Sequence, residues 1–228
     1  MKPTPKFSRR IFDRAFLASQ GIVASGVLLL LLFPQESAAQ KLLVSFSALF
    51  LLPVLFLRLI AKESLLDFGL SWGKRGWVVN IFLLCAHLAF FVSVCFILFS
   101  WTEAGKALVA NPKNIEWQRS FSAFLVTTLF LTWFLFLKEF FFRGFFLLTW
   151  KRKFGTWALL AHALLILVVG FFEHRTLSGS GGNFSLLITF LWSSLSASIV
   201  FITESVFLSF CFSFFSAILL SVLAMMIS

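Results

Sequence analysis

The chain has 228 residues, of which 60% are apolar and only 12% are charged, and 34 of them are phenylalanine. A water-soluble domain of this length could not bury so much apolar surface in one core, so the composition indicates an integral membrane protein. The net charge of +10 does not indicate a nucleic-acid-binding protein, because the basic residues fall in the connectors between apolar segments and form no continuous stripe.

Seven hydrophobic segments are long enough to cross the membrane as helices, which takes about 17 to 25 residues for a hydrocarbon layer of about 30 Å. These segments are residues 16–33, 42–60, 77–101, 119–137 continuing to 150, 154–172, 184–203 and 206–227. The predicted fold class is therefore all-α, a polytopic transmembrane bundle of about seven helices. Because the connectors are short, we expect one compact membrane domain with an N-terminal three-span part, 1–118, and a four-span part, 119–228.

The basic residues predict the orientation of this bundle. With the N-terminus in the cytoplasm, fourteen Lys and Arg residues lie on or toward the inner face and five lie on the other side. Connectors rich in Lys and Arg usually remain in the cytoplasm. We therefore expect a protein of the cell (inner) membrane, with a cytoplasmic N-terminus, the basic turn 151–153 inside, and the C-terminus on the opposite side.

The fourth segment is unusual because it carries charges at its end, in 137-LKEFFFRGFFLLTWKRKFG-155. Residues 119–150 contain no proline and one interior glycine, so we expect one helix of about 32 residues, about 48 Å long. At about 100° per residue, four polar side chains fall within about 60° of one another, which predicts a stripe that faces protein or a water-filled cavity. They are Thr128, Thr132, Glu139 and Arg143.

The four-residue spacing predicts an ion pair between Glu139 and Arg143 on the helix surface. Two interpretations of this pair stay open: it fixes the depth of the helix without any chemistry, or it belongs to a functional site, as ionisable residues inside membranes often do. Lys138 lies about 100° away from Glu139 around the helix. Its ammonium group either reaches toward the inner headgroups or enters a cavity.

The run from Glu139 to Gly144, followed by a basic turn and a helix start of the form Phe-Gly-x-Trp at 154–157, resembles the first motif of the CPBP intramembrane proteases. This family includes CAAX prenyl endopeptidases and bacteriocin-processing or immunity proteins. Its pattern is Glu-Glu-x-x-x-Arg, usually with Gly next, then Phe-x-x-x-His on the following helix and His-x-x-x-Asn on a late helix. The resemblance covers the chain from about residue 120 onward and implies a carboxylate that activates water, with imidazole and amide groups that stabilise the oxyanion.

Residue by residue, the resemblance implies that Glu139 is a catalytic carboxylate and that Arg143 is its structural ion-pair partner. Lys138 stands where the family has its first glutamate, the expected general base, and an ammonium group cannot accept a proton. The catalytic histidine implied by the second motif is His174, which follows Glu139 at an interval close to that of the family. His162 is the alternative, because its expected depth in the membrane is closer to that of Glu139.

Ser213 and Ser216 occupy the positions where the late motif would have histidine and asparagine. Together with Ser205 and Ser209 they repeat at helical spacing and line one face. Such a face is more often a packing seam of small residues than a set of ligands. His87 on the third segment also has two interpretations, as a member of the same cavity or as a side chain that hydrogen-bonds to a neighbouring helix.

The resemblance implies an intramembrane endopeptidase that acts on membrane-embedded or lipidated peptides and is impaired by Lys138 and by the missing late motif. An alternative is a non-catalytic pseudoprotease or immunity-type binding protein with the same fold. A third hypothesis, a small transporter, predicts broken helices and internal symmetry. We predict no cofactor, leave open a metal ion held by Glu and His side chains, and expect as partners the lipid bilayer and a membrane-embedded or lipidated peptide but no nucleic acid.

Overall fold

The computed structural model describes residues 9–32, 38–73, 76–102, 121–175 and 182–227. These residues form seven long helices and, within the described ranges, no strand, which confirms the predicted all-α bundle. The helices are α1 (Arg9–Leu32), α2 (38–61), α3 (Trp77–Trp101), α4 (121–154), α5 (Trp157–Arg175), α6 (Gly182–Thr203) and α7 (Val206–Ile227). A short 3₁₀ turn, Leu65–Phe68, lies between α2 and α3.

Two of these helices change their winding along their length. Helix α2 is α-helical at Ala38–Phe46 and Leu52–Leu55 and π-helical at Ser47–Leu51 and Phe56–Ala61. Helix α4 is α-helical at Phe121–Lys138, π-helical at Glu139–Leu147 and α-helical again at Leu148–Phe154. In a π-helix the backbone hydrogen bonds run from i to i+5 and widen the turn.

Within the described ranges, four helices are long and apolar enough to cross a membrane, and this property supports the prediction of a membrane protein. The qualifying segments are Ala15–Leu32, Gln40–Ala61, Trp77–Leu98 and Leu186–Thr203. Helices α5 and α7 contain shorter apolar stretches, at Trp157–Phe172 and Val206–Leu219.

Three connectors and the start of α1 meet at one end of the bundle, which we name the connector end; the described connector residues there are 62–73, 155–156 and 204–205. The Val206 amide donates a hydrogen bond to the Gly69 carbonyl at 2.8 Å, and Ser205 Oγ donates to the Ser71 carbonyl at 2.6 Å. The ring of Phe16, in α1, packs edge-on against Trp150 at 5.7 Å between centroids. Successive helices therefore run in alternating directions.

Three tryptophans at the connector end have strongly exposed side chains. Trp72, Trp77 and Trp157 are 73%, 74% and 69% exposed. Tryptophan is enriched where a membrane protein meets the headgroup layer, because its ring is apolar and its N–H is polar. Their position is typical of the boundary between membrane and water.

The largest core joins the two parts of the chain that the sequence separated at residue 118. Phe56 and Phe68 from the N-terminal part pack with Phe140 and Phe145 of α4 in one buried cluster. A second cluster joins α3 to α6 and α7. The described residues thus form one body, with α4 at its centre.

The π-helical part of α4 was not predicted, and the expectation of a regular α-helix through 119–150 is wrong there. All nine residues of Glu139–Leu147 are buried. A Cβ on Gly144 would lie 2.7 Å from the Phe68 carbonyl oxygen and 2.9 Å from Val206 Cγ2. Glycine at this position allows α4 to approach the connector and α7 closely.

Candidate functional site

Glu139 begins the π-helical segment and is only 1% exposed. Its carboxylate forms the ion pair with Arg143 that the four-residue spacing predicts. It also accepts hydrogen bonds from two hydroxyl groups of α7, that of Ser209 at Oε2 and that of Ser213 at Oε1, the latter at 2.5 Å. A carboxylate offers about four lone-pair sites. Protein donors therefore occupy most of its acceptor capacity.

Arg143 connects this carboxylate to a third helix. Its Nη2 donates to Ser193 Oγ of α6 at 2.9 Å, while Nη1 faces Glu139. Ser196 of α6 also contacts Ser213 of α7, with 3.1 Å between the hydroxyl oxygens. The resulting polar cluster ties α4, α6 and α7 together inside the bundle.

All four members of the serine face of α7 are buried, as a packing seam requires, and two of them also bind the carboxylate. Ser209 and Ser213 donate to the Glu139 carboxylate. Ser205 donates to the Ser71 carbonyl, and Ser216 Oγ is buried without a partner among the described residues. A buried carboxylate needs hydrogen-bond donors. The hydroxyl groups of Ser209 and Ser213 on the neighbouring helix supply them.

His162 lies on α5 and is 1% exposed. Its Nε2 has no hydrogen-bond partner within the described part of the chain. His174 is in the last turn of α5, and its side chain lies outside the described residues, as does that of Thr128. Of the two candidate histidines, His162 is thus the one whose side chain lies among the described residues.

His87 forms an interhelical hydrogen bond, as one of its two interpretations predicted. Its Nε2 is 2.8 Å from Ser198 Oγ on α6, and its Nδ1 donates to the Leu83 carbonyl at 2.8 Å. The imidazole therefore joins α3 to α6.

A cavity of about 250 Å³ lies beside the ion pair, between α4, α5 and α6. Its polar wall comprises Lys138, Glu139, Arg143, Thr189, Trp192 and Ser193. Lys138 Nζ lies 4.8 Å from the centroid of the Phe134 ring, which also lines the cavity. Of the two positions expected for Lys138, the structure shows the one in the cavity wall. His162 is not among the described residues that line this space.

Within the described residues, no group of three or more His, Cys, Asp and Glu side chains is arranged to hold a metal ion. The donors around Glu139 are instead a guanidinium and two hydroxyl groups. Chemically, the arrangement stabilises a negative charge on Glu139 and presents two cationic side chains to the adjacent cavity.

No protein-family model, no curated protein and no solved structure matches this chain. The resemblance to the CPBP proteases therefore depends on the motif residues alone.

Proposed function

We propose that this protein is a non-catalytic relative of the intramembrane proteases that binds membrane-embedded or lipidated peptides. The observation that carries this proposal is that Arg143, Ser209 and Ser213 together occupy most of the acceptor capacity of the Glu139 carboxylate. A general base must hold a water molecule within about 2.6–3.2 Å and accept its proton. A carboxylate whose acceptor sites are mostly taken by a cation and two hydroxyl groups has little room left to hold that water.

The residue that precedes Glu139 supports the same proposal. Lys138 occupies the position of the family's general base and is one of the residues that line the cavity. General-base catalysis contributes about 10²–10⁴-fold to a rate, and an oxyanion donor about 10²–10³-fold. Lys138 replaces the general base, and Ser213 and Ser216 replace the late histidine and asparagine. The general-base contribution and the oxyanion contribution are therefore both reduced.

The second candidate function is a slow endopeptidase of the same family. The observation that favours it is that Glu139 itself is one of the residues that line the cavity. In this alternative Glu139 contacts a water molecule admitted through the cavity. Nothing in the described part of the chain favours the transporter hypothesis over these two.

The proposal includes an orientation in the cell (inner) membrane. The connector end carries Arg58, Lys62 and the basic residues at 151–153 as well as the three exposed tryptophans. This combination supports a cytoplasmic connector end, with the C-terminus of α7 on the opposite side. A Lys62→Cys variant should react with a membrane-impermeant maleimide in inside-out vesicles and not in intact cells.

The test of binding against cleavage uses the full chain in lipid nanodiscs. The probes are a fluorescent leucine-rich peptide of about 20 residues, long enough to span the bilayer, and the same peptide carrying a prenyl group. We expect binding, measured by anisotropy, and no cleavage, measured by mass spectrometry. Lys138→Glu, which restores the Glu-Glu-x-x-x-Arg pattern, should gain measurable cleavage, and adding Glu139→Gln should remove it again.

Two other outcomes of this test would refute the non-catalytic proposal. Cleavage by the wild-type protein that is lost in Glu139→Gln would establish the endopeptidase and refute the non-catalytic proposal. Failure of both peptides to bind would refute it as well.

A further inference from the structure

Two basic side chains at the end of α2 have no acidic partner. Arg58 and Lys62 are both exposed, and neither side chain forms an ion pair or a hydrogen bond with any residue that the structure describes. They are four residues apart, about one helical turn, so they lie on the same side of α2. Like charges at this spacing destabilise a helix because they repel each other. An anion bound between them would remove that repulsion.

The acidic side chains of the connector end do not balance its basic ones. Within their described residues, the end of α2, the three connectors and the end of α4 contain five Lys and Arg residues and three Asp and Glu residues. Two of the three acids are paired with residues of α4: Glu63 binds Arg152 at 2.5 Å, and Glu204 binds Lys151 at 2.7 Å. The excess of positive charge therefore lies at the end of α2 and favours an anionic partner.

The backbone turn at Lys62 separates this lysine from the acid that follows it. Lys62 ends α2 in the left-handed conformation, with φ at +54°, which few residues other than glycine adopt. After the turn, the Glu63 amide donates to the Leu57 carbonyl at 2.9 Å, and the Glu63 carboxylate binds Arg152. Glu63 is thus fixed to the end of α4, while Lys62 stays exposed beside Arg58.

The three exposed tryptophans of the connector end indicate the depth of this pair in the membrane. Tryptophan side chains in such positions lie in the headgroup layer, and Lys62 belongs to the same end of the bundle. Arg58 lies about 6 Å of helix further into the bundle, and its long stem lets the guanidinium reach the headgroup layer. The anions of that layer are lipid phosphates, which Arg and Lys side chains bind through charge-assisted hydrogen bonds.

The surface next to the pair is apolar. Leu55, Leu59 and Ile60 of α2 all have exposed side chains. A soluble anion would leave this surface uncovered, whereas the acyl chains of a lipid would pack against it. The surroundings of the pair therefore favour a phospholipid over free phosphate.

We infer that Arg58 and Lys62 form a binding site for an anionic phospholipid, with the phosphate between the two cations and the acyl chains along the exposed leucines of α2. The site goes beyond the proposed function, because none of its residues lines the cavity between α4, α5 and α6 and it needs no bound peptide. A zwitterionic lipid offers the same phosphate together with a cation that Arg58 and Lys62 repel. An anionic lipid should therefore bind more tightly.

The experiment measures the lipids that the full chain retains from detergent micelles, by native mass spectrometry. The ligands are phosphatidylglycerol and phosphatidylcholine with the same acyl chains, and the soluble competitor is glycerol phosphate. Each basic side chain near an anionic headgroup strengthens binding about fivefold. We expect phosphatidylglycerol to bind at least about fivefold more tightly than phosphatidylcholine, and glycerol phosphate at equal concentration not to displace it.

Variants of the pair and a matched control test the position of the site. Lys62→Asn removes the charge and keeps a residue that tolerates the left-handed backbone, and it should weaken binding of phosphatidylglycerol about fivefold. Arg58→Gln/Lys62→Asn should weaken it about 25-fold. Lys41→Gln removes a charge near the other end of α2, about 25 Å from Arg58, where charges are screened from the pair, and should change binding less than about twofold. Folding of each variant is checked by its circular dichroism spectrum.

Three outcomes would refute the lipid site. Equal binding of the two lipids would show that the headgroup charge is not recognised, and equal effects of Lys62→Asn and Lys41→Gln would show that only the overall charge of the protein matters. Displacement of the lipid by glycerol phosphate at equal concentration would show that the pair binds free phosphate instead. Selective retention of phosphatidylglycerol that is lost in Arg58→Gln/Lys62→Asn supports the site, whether or not the protein binds peptides.

Discussion

Among the residues that the structure describes, ion pairs lie in two regions, and their surroundings differ sharply. In the pair Glu139–Arg143 the side chains are 2% and 8% exposed, and three serines add hydrogen bonds. At the connector end, the Lys151–Glu204 pair at 2.7 Å has side chains that are 24% and 30% exposed. The Arg152–Glu63 pair at 2.5 Å has side chains that are both 35% exposed.

The difference shows that the loss of one ion-pair partner has different consequences inside the bundle and at the connector end. At the connector end, water can replace a lost partner, and Arg152 also donates to the Asp67 carbonyl and lies over the Phe68 ring. Inside the bundle, a lost partner leaves a charge that neither water nor lipid can stabilise. We therefore expect the inner pair to determine how α4, α6 and α7 assemble, and the outer pairs to contribute little stability.

The largest effect should come from Arg143→Met, which leaves Glu139 buried without its cation. Removing one partner of a buried pair costs about 3–5 kcal/mol. The free energy of unfolding, measured by SDS titration in mixed micelles, should fall by that amount. The double variant Glu139→Leu/Arg143→Met should recover much of the loss, because no unpaired charge remains. Equal losses in the single and the double variant would show that packing, and not charge, holds this region.

Removing one hydroxyl group from the carboxylate should have the next largest effect. Ser213→Ala deletes the 2.5 Å hydrogen bond to Glu139 and the contact with Ser196. A hydrogen bond to a charged group contributes about 1.5–3 kcal/mol. Ser216→Ala, one turn further along α7, is the matched control, because the buried Ser216 Oγ has no partner among the described residues. The same SDS titration should show little or no loss for the control.

Gly144 lies between the buried ion pair and the connector end, against Phe68 and Val206. Its substitution tests how closely α4 packs against these residues. In Gly144→Ala the new methyl group would lie 2.7 Å from the Phe68 carbonyl oxygen, a backbone atom that cannot rotate away. Overpacking of this kind costs about 1–3 kcal/mol. Gly21→Ala in α1 is the control, since nothing lies within 4 Å of its new methyl group. Gly21→Ala should be neutral or stabilise α1 by up to about 1 kcal/mol, and a similar loss in both variants would contradict the close approach.

The sequence predicted the features that depend on neighbouring residues. The third segment was predicted at 77–101 and found at Trp77–Trp101, because its length and hydropathy define a membrane-spanning helix. The ion pair of Glu139 and Arg143 followed from four residues of spacing. Both features are local, so no knowledge of the packing of distant helices was needed.

Features that depend on which helices become neighbours were not predicted. Ser209 and Ser213 are 70 and 74 residues away from Glu139, and Ser193 is 50 residues away from Arg143. Hydropathy shows that a helix crosses the membrane but not which helix it contacts, so Ser193 was missed entirely. The π-helical segment was missed for a similar reason, since its close contacts at Gly144 involve a distant connector and α7.

The smallest effect should come from Glu63→Gln at the connector end, and it completes the comparison. Exposed ion pairs contribute about 0.2–1 kcal/mol and are screened by salt. In this variant Arg152 keeps its hydrogen bond to the Asp67 carbonyl, so the loss should stay within that range and vanish in about 1 M salt, where the screening length is about 3 Å. The loss in Arg143→Met should persist in the same salt, because ions do not enter the bundle. A salt-sensitive loss in Arg143→Met would show that water reaches the inner pair. That result would favour the alternative in which Glu139 acts as a general base on a water molecule.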